Sequence, residues 1–170
     1  MTGAVLNLPT ELRDPFFFTD EKVKMGSQIV PSNPYFAFEI LFYSGARLHS
    51  LPWLVQGQWI DDIVGGWREE EVYLKSLFKS RSKETTLAMK KGIAQFYMFL
   101  FWSNNQPVNL ENWGSKVDRL PVKPVNAVER LTFIRENASL FHSYIQLAQL
   151  FEEQHKQYAK FLALNQAAKK

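Results

Sequence analysis

The chain has 170 residues, a net charge of +3 and no cysteine. Its length suits one domain with a real core. The missing thiols exclude disulfides, thiol catalysis and cysteine-ligated metals. Aromatics are the unusual part of the composition, with 14 Phe, 6 Tyr and 5 Trp.

The opening MTGAVLNLPTELRDP has neither a basic n-region nor a long apolar stretch, so it does not read as a signal peptide. With no cysteine as well, a cytoplasmic location is expected. Residues 1–33 read as an irregular arm, interrupted by Pro9, Pro15 and Pro31, and its Phe16-Phe17-Phe18 run is expected to dock on the body. Asn33 before Pro34 predicts an N-cap and a helix from Pro34 to about Arg47, apolar nearly all round. A short helix over 52–64 is predicted to end at Gly65-Gly66, followed by another over 67–81. Glu69, Glu70 and Glu71 then open that second helix and Lys75, Lys79 and Arg81 close it, matching the helix dipole.

Ser82 is expected to cap a helix running to about Ser103. Its apolar run, Ile93 to Trp102, rises only about 15 Å, half a bilayer core, and reads as buried. Residues 104–125 read as a long connection containing Pro121 and Pro124. Asn126 and Glu129 have capping-box spacing ahead of a helix that ends near Asn137. The last helix is expected over about 139–164, fraying in NQAAKK. No strand alternation stands out. The predicted fold class is all-α, a compact single-domain bundle of six or seven helices over 34–168 with the arm docked on it.

The run LPVKPVNAVERLTFI at 120–134, followed by HSYIQLAQLFEEQHK at 142–156, resembles the YpoC-like proteins of Gram-positive bacteria. The resemblance implies a small helical protein with no assigned activity and no catalytic residue to carry over. The family's gene neighbourhood, close to replication and repair genes, implies chromosome-related work.

Three groups of residues are candidates for chemistry. Basic residues cluster from Lys75 to Lys91. Lys83, Lys90, Lys91, Lys116, Arg119 and Lys123 form a candidate nucleic-acid surface, although +3 is small for a DNA binder and no recognition-helix motif is present. Tyr144, Leu147, Phe151 and Tyr158 lie on a seam of alternating four- and three-residue steps, which would serve a partner helix, a second copy or the domain's own core. Glu39 is the only charge between Lys24 and Arg47; with His49 and Asp61 or Asp62 it could make a catalytic site. Glu152 and His155 share a helix face, but a single Glu-x-x-His falls short of a di-metal set, and His142 has no such partner. Neither a phosphate loop nor a nucleophile elbow is present. The expectation is a non-enzymatic binding or accessory protein without a metal or cofactor. The alternative is an accessory of DNA replication or repair.

Overall fold

The computed structural model describes residues 3–168 and is mostly helical. Two short strands, β1 (Val5–Asn7) and β2 (Lys22–Lys24), pair antiparallel with Leu6 opposite Val23. Six helices follow: α1 (Ala37–Tyr43), α2 (Gln56–Ser80), α3 (Thr85–Trp102), α4 (Trp113–Asp118), α5 (Ala127–Glu136) and α6 (Phe141–Ala168). The hairpin corrects the expectation of no strand. Three-residue strands are too short for period-two alternation to stand out in a sequence.

α3 is the central element. Every residue from Gly92 to Trp102 is buried, so the apolar run is core. α2 and α6 pack on it, α5 packs on α6, and α4 packs on α5. Gly92 lets three helices meet: a Cβ there would lie 2.7 Å from the Trp67 ring and 3.3 Å from Leu147. Phe151 of α6 stacks flat on Trp67, centroids 4.4 Å apart. No helix among the described residues is long and apolar enough to cross a membrane.

Several boundaries differ from expectation. α1 is only seven residues long, because small antiparallel bridges, Val30 to Asn33 and Ser32 to Tyr35, occupy the chain where the helix was to start. Phe36 then enters α1 in the left-handed conformation at φ 58°. α2 runs straight through Gly65-Gly66. One buried stripe, Ile60, Ile63, Trp67, Glu70, Leu74 and Leu77, unites its two halves. That burial outweighs a glycine penalty of about 1 kcal/mol each. Glu69–Glu71 therefore sit mid-helix and do not answer a dipole. Residues 104–125 contain α4, which starts from left-handed Asn112. Asn126 is also left-handed, and its side chain makes no cap hydrogen bond. α6 stays helical through Ala168; the rest of the expected fray, residues 169–170, lies outside the described residues.

The arm docks as expected. Phe17 is buried and meets Phe36, Tyr35 and Tyr97 edge-on at 5.1–5.9 Å. Behind it, Arg135 of α5 donates to Asp14 at 2.8 Å and to the Tyr97 hydroxyl at 3.0 Å. The Arg135 guanidinium also lies over the rings of Phe16 and Trp113.

Candidate functional site

A cavity of about 940 Å³ forms an open groove between the arm and helices α2 and α3. β2 supplies one wall through Lys22, Val23 and Lys24. Glu84, Leu87, Ala88 and Lys91 supply another. Their spacing places them on one face of α3 and the residue that caps it. Phe18 and Tyr35 line it from the arm side, and Glu70 and Tyr73 from α2.

The groove's polar groups are organised in pairs. The Lys91 ammonium lies 3.2 Å from the nearly buried Glu70 carboxylate. The Tyr73 hydroxyl donates to Glu84 at 2.8 Å. Burial, and then the charge of Glu70, push the Tyr35 hydroxyl above its ordinary pKa. Leu87 projects into solvent, 65% exposed. Lys22 and Lys24 make no ion pair among the described residues. The sequence carried two small signals of this site: the Lys-Val-Lys alternation, and a lone Leu on the polar start of α3.

Glu39 is fully buried on α1. Its Oε2 accepts from the Trp102 indole at 2.8 Å and from the Val108 amide at 3.0 Å. Its Oε1 has no hydrogen-bond partner among the described residues. Desolvation raises its pKa to about 7, against the pull of those two donors. The Tyr43 hydroxyl caps the arrangement by donating to the Val108 carbonyl at 2.9 Å.

The imagined Glu39–His49–Asp61/Asp62 site is not assembled. Glu39 faces Trp102 and Val108, whereas His49 is exposed in the loop after α1. Asp61 and Asp62 are exposed in the N-terminal third of α2, where Asp62 accepts from Gln58 at 2.9 Å. His142 is exposed beside Gln146 and Phe133. Glu152 and His155 line a small cleft between α2 and α6 with Arg68. Among the described residues no three potential metal ligands cluster.

The six basic residues are spread over four places. Lys83 lies in the α2–α3 turn, Lys90 and Lys91 in α3, Lys116 and Arg119 at the end of α4, and Lys123 in the following link. Lys90 lies over the Phe16 ring at 5.5 Å. Lys91 is held by Glu70. Lys116 donates to the Glu111 carbonyl, and Lys123 to that of Asp118. Lys83 and Arg119 are exposed without an ion pair among the described residues.

The C-terminal seam corrects the partner expectation. Tyr144, Leu147, Phe151 and Tyr158 are all buried and face the molecule's own core. Phe151 meets Trp67, Phe96 and Phe99; Tyr158 meets Phe99. The Tyr144 hydroxyl donates to Glu71 of α2 at 2.7 Å. These four residues are consumed by the core and offer no surface in this fold, whereas Phe141, Ile145 and Leu162 on the flank of the same helix stay exposed.

Comparison with known proteins gives a consistent result. A family model described as YpoC-like protein matches residues 57–166. A relative from Bacillus subtilis (strain 168), named "Uncharacterized protein YpoC", is 31% identical over 117 residues, covering 68% of this chain and 71% of its own length. No solved structure matches. The family match spans α2 from its second residue almost to the end of α6, so it takes in the α2–α3 side of the groove and leaves out the arm.

Proposed function

The chain belongs to the YpoC-like family, and from that footing we propose that it is a non-enzymatic binding protein that works through the groove between its arm and α3. The observation that carries this reading is the groove itself: about 940 Å³, open, and walled by both exposed apolar groups and charges of either sign. Recognition surfaces combine those ingredients. The carboxyl with a pKa raised into a working range, Glu39, is sealed in the core, where it cannot meet a substrate, and this supports a non-catalytic role. A chain without cysteine also suits the reducing cytoplasm.

The test is affinity capture from a native bacterial extract with the unaltered protein and with Leu87→Arg. Leu87 is exposed, so this change leaves folding intact while placing a charge in the groove. Proteins retained by the first and lost by the second are the expected result. Equal retention by both, or none by either, overturns the reading.

A second reading makes the protein an accessory of DNA replication or repair. It draws on exposed Lys83 and Arg119, joined by Lys90, Lys91, Lys116 and Lys123 only if these release their local partners. Binding to single- and double-stranded DNA that falls steeply with salt would support it. No binding at low salt removes it.

A further inference from the structure

The hairpin has an open side, and its direction can be read from its hydrogen bonds. The Leu8 amide donates to the Glu21 carbonyl at 2.7 Å, and the Met25 amide to the Ala4 carbonyl at 2.8 Å. In an antiparallel ladder the bonded pairs alternate with pairs whose amides and carbonyls point outward. Leu8–Glu21, Leu6–Val23 and Ala4–Met25 are therefore the bonded register, and Lys22 and Lys24 turn their main-chain groups away from β1. Neither makes another main-chain hydrogen bond among the described residues. Both line the groove, with one face of α3 along another wall.

A strand edge and a helix face bordering one cleft is the arrangement in which extended peptides bind by adding a strand. The edge is about 10 Å long at ~3.3 Å per residue. Its chemistry selects the occupant. The Lys22 and Lys24 side chains share one face of β2 and lack acidic partners among the described residues. Val23 points to the other face, into the molecule. An added strand would place acids beside the two lysines. Its middle side chain would lie on the face of Val23.

We propose that the groove takes an extended segment of a partner protein, with acidic residues on either side of an apolar one, as a third strand on β2. The proposal rests on the binding-protein reading above and adds the class of ligand to it.

The probe is a synthetic Glu-Val-Glu-Val-Glu peptide, blocked at both ends and titrated into the full chain. Saturable binding that weakens with salt is expected, with amide chemical-shift changes at Lys22 and Lys24. Strand addition uses every second amide of the peptide. Of two probes N-methylated at alternate amides, one should lose at least tenfold in affinity and the other should retain it. A Lys22→Glu, Lys24→Glu variant should lose the acidic probe and gain a Lys-Val-Lys-Val-Lys peptide. Both positions are exposed, so the variant folds. Three results overturn the proposal: no binding of the parent probe, equal binding of the two methylated probes, or a second copy of this chain filling the edge, seen as a dimer in sedimentation. If Leu87-dependent capture persists while the probe fails, strand addition is wrong and the binding reading stands. If both fail, both are wrong.

Discussion

Glu39 holds a proton where most carboxyls do not. Burial raises its pKa from 4.5 to about 7, so the folded state binds that proton more tightly than the unfolded chain does. Its contribution to stability is fully present below pH 4.5 and is lost as pH rises through 7. By pH 8 the loss reaches about 3 kcal/mol, at 1.36 kcal/mol for each unit of difference. Urea midpoints at pH 5 and pH 8 measure this. Glu39→Gln, which cannot ionise, is expected to remove most of the fall, and equal slopes for both proteins would refute the account. The sequence showed Glu39 as a lone charge among aromatics, a pattern that fits burial in the core and equally a helix edge in water. Its donors, Trp102 and Val108, are 63 and 69 residues away, and no local pattern points to them.

Helix direction is where sequence periodicity stops. The spacing of Tyr144, Leu147, Phe151 and Tyr158 was legible as an apolar seam, but the same stripe serves a core or a partner. The structure turns it inward onto Trp67 and Phe99. Phe151→Ala is accordingly expected to cost about 3–5 kcal/mol in chemical unfolding. Phe141→Ala, one turn outside the core, should cost much less; equal losses would contradict the placement. Gly92 is the tightest point among the helices. Gly92→Ala drives a methyl group into the Trp67 ring and is expected to cost about 1–3 kcal/mol. In a Trp67→Leu background the same glycine substitution should cost less, because the ring atoms in the way are gone. The two-helix reading of 52–81 failed for a related reason. Gly65-Gly66 carries a local stop signal, but the buried stripe that spans it is a tertiary fact.

Across the whole molecule, Arg135 is a polar link between the arm and the helical body, beside the apolar docking of Phe17. It ion-pairs with Asp14, hydrogen-bonds Tyr97 and covers Phe16. Removing one partner of a buried pair strands the other charge, so Arg135→Ala is expected to cost about 3–5 kcal/mol. Hydrogen exchange should report it locally, with the Leu8 and Met25 amides losing protection before those of α3. Uniform loss across both would mean that the arm does not open as a separate unit. Docking of the arm was legible from Phe16–Phe18, which needed cover. The groove was not, because its walls come from residues 17–35, 70–73 and 84–91 and exist only once the arm is in place.

The Asp14–Arg135 pair also sets a timetable. Its members are 121 residues apart. A ribosome adding roughly 5–20 residues per second makes the arm about 6–24 s before it makes the arginine that fastens it. During that interval Phe17 and Phe18 can meet Tyr35 and Phe36, but Phe16 lacks the guanidinium that covers it. The chain therefore completes its tertiary structure only near the end of synthesis.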